Sequence, residues 1–260
     1  MSRRFAVVGD PVAHSRSPAM HAAAFRALGV PHTYEAVRAG EAELADVVQA
    51  LRDGRFDGLN VTVPHKRRVL ELADDVDPGA RVAGAANTLV RTAGGRVVAH
   101  NTDAPALAAE LEALAAGHAL RGAHALVLGS GGAARAARVA LESLGATVTL
   151  RSRAGGDLAP SAKDEARTAV VVQATSAGMD GADAGEGVAA SVAWTALPAD
   201  AVALDVVYAP PETPFLRAAR ARGLRNANGL GMLARQGALA LELWLGVAAP
   251  LAAMRAALDR

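Results

Sequence analysis

The chain of 260 residues has no cysteine, only two lysines and only eight aromatic residues (four Phe, two Trp, two Tyr). Without cysteine there is no disulfide, no thiolate metal site and no Cys nucleophile. With so few aromatics, the core must be built from Ala, Val and Leu, and 65 residues are Ala. The chain also lacks an excess of either charge. Its formal net charge is +1, which argues against a dedicated nucleic-acid binder. No uninterrupted apolar run approaches the ~18 residues needed to span a bilayer. The apolar part of Met-Ser-Arg-Arg-Phe-Ala-Val-Val-Gly is too short for a signal peptide. A soluble, cytoplasmic protein is expected. The lysine shortage is the most specific of these features, because 25 Arg stand beside Lys66 and Lys163. Where Arg is the default cation, a remaining Lys is a candidate for a task that Arg cannot perform, such as giving up a proton.

The hydrophobic pattern alternates strands with helices. Strands are expected at 5–9, 33–38, 58–63, 124–128, 147–150, 168–173 and 201–207. A hairpin is expected from 87–91 and 96–99 around Gly94-Gly95. Helices are expected at 41–52, 66–72, 104–116, 132–144, 213–222, 231–245 and 251–258. Another is opened by Ser17-Pro18, with Ser17 as its N-cap, and closed by Gly29. This order predicts α/β architecture with parallel sheets. The stretch 154–167 has no clear period, and Trp244 with the apolar helix around it is expected in the core.

One turn has the context of a dinucleotide site. His124 to Gly132 reads HALVLGSGG, a strand, a glycine turn and the start of a helix. Gly129, Gly131 and Ala134 occupy the glycine positions, and Gly131 leaves room for a pyrophosphate at the helix N-terminus. The group that reads the adenosine ribose is expected about 20 residues later, at the end of the next strand. Arg151-Ser152-Arg153 stands there, two Arg and no acid, which favours NADP over NAD.

Four polar clusters precede this turn. In NVTVPHK, Asn60 and Thr62 share one strand face and Lys66 emerges just past the strand end, either lining a pocket or solvated. GAANTL offers Asn87. HNTD offers Asp103, either a functional carboxylate or the cap of the following helix. HSRSP places Ser15 and Ser17 at a helix N-terminus, either a carboxylate site or a cap.

GDPVAHSRSPAMH, NVTVPHK, AGAANTLV, NTD, VLGSGGAAR, DVVY, TPFL and NANGLGMLARQGALA, in this order, resemble the shikimate dehydrogenase family. The resemblance runs from Gly9 to Ala240. It implies two α/β domains with the active site in the cleft between them. A substrate domain, 1–103 completed by helices at 236–260, would accompany a Rossmann-like NADP(H) domain at 104–235. It implies reversible, NADPH-dependent reduction of 3-dehydroshikimate to shikimate, with no metal, by a monomer or homodimer. By similarity, Ser15 and Ser17 would hold the substrate carboxylate, with Tyr208 nearby, while Thr62, Asn87, Asp103 and Gln236 would bind ring hydroxyls with Lys66. Gly129, Ser130, Gly131, Gly132 and Ala133 would cradle the pyrophosphate, Ser152 and Arg153 would take the 2′-phosphate, and Val206 and Gly229 would border the nicotinamide. Lys66 and Asp103 are read as the catalytic pair, because a Lys held by a carboxylate can both stabilise an alkoxide and protonate it.

The chain departs from the family pattern at several points. Ser152 replaces Asn and Ala154 replaces Thr, which predicts a thinner 2′-phosphate site and weaker NADP selectivity. The short 154–168 segment predicts a trimmed cofactor sheet and a more open adenine side. Asn228 for Asp and Gln173 for Asn are near-isosteric and predicted to matter little. A quinate/shikimate dehydrogenase using NAD and a non-catalytic NADP(H)-binding sensor of the same fold are the competing readings.

Overall fold

Phe5-Ala6-Val7-Val8 runs without alternation, the pattern of a strand covered on both faces. In a computed structural model, which describes residues 2–259, it forms β1 (Arg4–Gly9), flanked in parallel by β2 (Thr33–Arg38) and β3 (Gly58–Val61). Of the described residues, the first compact unit comprises 2–106 and 233–259. Its helices include α1 (Ser17–Leu28), α2 (Leu44–Arg52), α3 (Val69–Leu72) and α4 (Pro78–Ala83). Its sheet is completed by β4 (Asp75–Val76), β5 (Thr88–Arg91) and β6 (Val97–His100), in the order β2-β1-β3-β5-β6-β4. This sheet is not all parallel as expected. β5 runs antiparallel to β6, as the expected hairpin requires, and also to β3, which it reaches after the intervening α3, β4 and α4.

The second unit, Leu107–Met232, has the expected parallel sheet. α5 (Asp103–Ala115) leads into it. Then come β7 (His124–Leu128), α6 (Gly132–Ser143), β8 (Thr147–Arg151), α7 (Ala162–Glu165) and β9 (Thr168–Gln173). α8 (Glu186–Ala190), β10 (Val202–Asp205), α9 (Pro214–Ala221) and β11 (Arg225–Ala227) follow. The strand order is β11-β10-β9-β7-β8. Among the described residues only the four-residue α7 lies between β8 and β9, so the connection is trimmed as predicted. α10 (Leu230–Leu245) returns the chain to the first unit, and α11 (Leu251–Ala256) packs on α1. No helix of the described residues is long and apolar enough to cross a membrane.

Several element ends differ from the sequence reading. Ser17 is the first residue of α1 rather than its cap, and Ser15 Oγ accepts the Ser17 amide at 3.3 Å. Of 66–72 only Val69–Leu72 is helical, since the chain after Pro64 first has to turn. β3 stops at Val61, although the Thr62 amide still reaches Val8 O at 2.9 Å.

The first unit packs its few rings together. Trp244 of α10 stacks on Phe5 with centroids 4.8 Å apart, and its Nε1 donates to Leu89 O at 3.0 Å. Trp244 is thus core, as expected. His21 lies 4.2 Å from Tyr34, ring on ring at 7°. Burial pushes its pKa down to about 3, so the ring is neutral. Gly58 is where β3 passes the indole: a Cβ there would overlap Trp244 Nε1. The ring is pinned by its stack and its hydrogen bond, so it has little freedom to yield. Gly58→Ala is therefore expected to lower stability by about 1–3 kcal/mol, the usual cost of overpacking. Urea denaturation checks this, and an unchanged midpoint would refute the tight packing.

Candidate active site

The turn after β3 aims Lys66 by fixing its backbone on both sides. His65 N donates to Thr62 O at 2.9 Å, and Ala86 N donates to Lys66 O at 2.7 Å. The buried His65 ring meets Ala39 O through Nε2 at 2.7 Å. Lys66 Nζ then reaches Asp103 Oδ2 at 2.6 Å, with the two side chains 21% and 6% exposed. The question of whether Asp103 merely caps α5 is settled by Asn101, whose Oδ1 accepts the Ala104 amide at 3.0 Å. Capping falls to Asn101, and the Asp103 carboxylate remains for Lys66.

Asn87 holds that carboxylate from the other side. Its Nδ2 donates to Asp103 Oδ1 at 2.9 Å, and it also lies 2.9 Å from Thr102 Oγ1 and 3.3 Å from Gln236 Oε1. Its Oδ1 accepts the Thr102 amide at 2.7 Å. The Gln236 amide is oriented in turn by donating to Leu233 O at 2.9 Å. Lys66, Asp103, Asn87 and Gln236, spread over 170 residues of sequence, thus form one cluster in the first unit.

Asn60 does not line a pocket with Thr62 and Lys66. Its Nδ2 meets Asn87 O at 3.1 Å and Thr88 Oγ1 at 3.0 Å, and its Oδ1 accepts from Tyr34 OH at 2.7 Å. These bonds engage the polar atoms of a residue that is itself buried. Thr62 stays half-buried at the strand end, where its Cγ2 leaves no space for a side chain on Gly9. Ser17 is buried and its hydroxyl bonds to Tyr34, whose phenol is held well above its ordinary pKa by burial. Ser15 and Ser17 therefore connect through Tyr34 and Asn60 to Asn87. Tyr34 carries no signal in the sequence, since β2 gives no sign of which side-chain oxygens it meets.

In the second unit, Gly129 has φ 132°, and its amide donates to Arg151 O at 2.8 Å. A Cβ there would sit 2.7 Å from Ala174 O, so the turn requires glycine. Gly131 is the N-cap of α6 and makes no side-chain cap bond, and a Cβ added to it would meet nothing within 4 Å. The turn therefore presents Ser130, Gly131, Gly132 and Ala133 at a 12-residue helix N-terminus that fits an anion such as a pyrophosphate. Gly229 touches the chain at Val206: a Cβ would overlap Val206 O, and the Gly229 amide reaches Val207 O at 3.1 Å. Tyr208 stands in the loop after β10, half-buried.

Arg151 is not available to a phosphate as the sequence reading allowed. It is buried against Glu165, NH1 to Oε1 at 2.8 Å and NH2 to Oε2 at 3.2 Å. The last residue of β8 alternates inward, and the short α7 supplies the acid. Ser152 is half-buried, while Arg153 is exposed and pairs with Asp183 at 3.3 Å. Gln173 sits inside its own sheet, with Nε2 on Ala177 O at 2.9 Å and on Asp205 Oδ1 at 3.1 Å. Asn228 accepts the Leu230 amide at 3.1 Å, next to the start of α10.

The profile of the shikimate dehydrogenase substrate binding domain matches residues 7–89, and that of the shikimate 5′-dehydrogenase C-terminal domain matches 229–258. A shikimate dehydrogenase (NADP(+)) of Methylobacterium radiotolerans is 42% identical over 259 residues, covering 92% of this chain and 90% of that protein. The chain belongs to the shikimate dehydrogenase family. The shikimate 5-dehydrogenase of Thermus thermophilus, solved with NADP(H) and shikimate, superposes with a TM-score of 0.85 at 40% identity, covering 99% of both chains. That of Listeria monocytogenes, solved with shikimate and NAD, gives 0.82 at 28% identity, covering 99% of this chain and 96% of that one.

This shikimate dehydrogenase family member also buries an acid that its sequence does not single out. Asp205 opens the DVVY segment and is fully enclosed. Thr213 Oγ1 donates to its Oδ2 at 2.6 Å, and Val207 N and Gln173 Nε2 donate to Oδ1 at 2.9 and 3.1 Å. Burial nonetheless outweighs these bonds and raises its pKa from 3.8 to about 6. Folding therefore disfavours its ionised form. The penalty is absent below the unfolded pKa and fully present above the folded one, so stability is lost as pH rises from about 4 through 6. Asp205→Asn keeps the acceptor for Val207 and removes the charge. The variant is expected to gain on the parent by about 2–3 kcal/mol between pH 4 and pH 8, measured by chemical denaturation. A pH-independent difference would refute the assignment.

Proposed function

We propose that this protein catalyses the reversible, NADP-dependent reduction of 3-dehydroshikimate to shikimate, in the cytoplasm. The observation that supports the reading best is the Lys66–Asp103 pair, 2.6 Å apart and fixed by Asn87, in a chain where Arg is otherwise the default cation. The first unit is read as the substrate domain and the second as the cofactor domain.

NADPH, held at the glycine turn, would supply the hydride for the ketone carbon, and the chain's own residues would have to stabilise and protonate the resulting oxygen. Lys66 donates a hydrogen bond and then a proton to that oxygen, and in the oxidative direction its neutral amine takes the proton back. Asp103 orients the ammonium and balances its charge while Lys66 stays partly exposed and able to reach a ligand. Ser15 and Ser17 hold the substrate carboxylate, and Thr62, Asn87 and Gln236 bind the ring hydroxyls. Gly129 to Ala133 receive the pyrophosphate, Ser152 and Arg153 the 2′-phosphate, and Val206 and Gly229 border the nicotinamide.

Lys66→Ala is expected to cut turnover of shikimate with NADP by about 10²–10⁴-fold, the range of a general acid–base group. Lys66→Arg should fail almost as badly, because guanidinium keeps its proton. The assay is the absorbance of reduced nicotinamide, with circular dichroism as the control for folding. Full activity in folded Lys66→Arg would overturn the proton-transfer role. Folded parent protein that binds NADP but shows no turnover would favour the sensor reading.

A further inference from the structure

The end of β8 lies beside the glycine turn, since Gly129 N donates to Arg151 O at 2.8 Å. In dinucleotide folds this strand end reads the adenosine ribose. An acid there accepts from the 2′-hydroxyl of NAD, and an Arg compensates the 2′-phosphate of NADP. The segment 152–157 closes on itself at this point. Gly155 N and Gly156 N donate to Ser152 O and Arg153 O, both at 3.1 Å. The Asp157 carboxylate takes the Ser152 amide at 2.8 Å. Gly155 N is also within 3.0 Å of Ser152 Oγ.

Each group that would favour a 2′-phosphate is thus weakened. Arg151 is committed to Glu165. The Ser152 amide already serves an anion, and Arg153 is shared with Asp183. Ala154 has no hydroxyl to offer. Beyond the buried Arg151–Glu165 pair, the charged groups shown against Ser152 and Arg153 are the carboxylates of Asp157 and Asp183.

We infer that Asp157 is a specificity-determining residue that lets this chain use NAD(H) as well as NADP(H). The inference rests on reading the second unit as the cofactor domain. The acid arrives five residues after Ser152, carried back by the turn, instead of at the strand end itself. The Asp157 carboxylate accepts from the 2′-hydroxyl of NAD and repels the 2′-phosphate of NADP. The Asp157 side chain is exposed, so screening limits the repulsion and NADP still binds.

Calorimetric titration of the parent and of Asp157→Asn with NAD⁺ and with NADP⁺, without substrate, tests this directly. Asn keeps an acceptor for the Ser152 amide and loses only the charge. The parent is expected to bind the two cofactors within about tenfold of each other. Asp157→Asn should tighten NADP⁺ by about three- to tenfold at low salt, less at high salt, and should not tighten NAD⁺. The ratio of kcat/KM values for the two cofactors should move the same way. Parent protein that binds NADP⁺ but no NAD⁺ would overturn the inference. So would equal changes for both cofactors, the mark of a merely structural turn. Loss of binding of both cofactors by the parent would instead refute the cofactor domain, and binding of both without turnover of shikimate would refute the catalytic reading alone.

Discussion

A primary amide buried without partners costs about 1–3 kcal/mol for each unpaired group, so wherever Asn87 is buried its neighbours must be arranged around it. It has two N–H donors and one carbonyl, and the fold brings Thr102, Asp103 and Gln236 within reach of them. Its backbone is equally engaged, with N on His100 O at 3.0 Å and O accepting Val61 N at 2.9 Å. Asn87 therefore ties β3 and β6 to the start of α5 and to α10. The position of Asp103 follows from this, and the position of the Lys66 ammonium follows from Asp103.

Such a network is demanding as well as specifying. A partly satisfied buried network is worse than an apolar one, so each member limits what its neighbours can be. Asn60 satisfies the second lone pair of Asn87 O, Tyr34 satisfies Asn60, and Ser17 completes Tyr34. Lys66 is the exception by design of its surroundings: its ammonium is paired but its side chain keeps a path to solvent, which is what a group that exchanges protons requires.

The cofactor unit solves a different problem with backbone rather than side chains. Gly129 and Gly229 let main-chain segments approach within distances no Cβ permits. β8 ends in a buried Arg–Glu pair, which anchors the short α7 to the sheet. The loop that follows β8 is then short enough to bring an acid back to the ribose end of the strand.

Much of this is legible in the residues. The α/β alternation, the glycine turn after β7, the hairpin at Gly94-Gly95 and the trimmed link between β8 and β9 all follow from local pattern. Local pattern misleads where two distant residues compete for one task. It makes Ser17 a cap where Ser17 is the first helical residue, Arg151 a phosphate ligand where Glu165 claims it, and Asn60 pocket-lining where Tyr34 claims it. Asp103 stands between two roles until Asn101 takes one of them. The residue types alone set which chemistry is possible: a lysine where a proton has to leave, glycines where backbone has to pass, and no thiol at all. Which donor meets which acceptor is a property of the folded chain. A hydrogen bond is satisfied by whatever the fold brings within about 3 Å, and chain spacing says nothing about a partner 149 residues away.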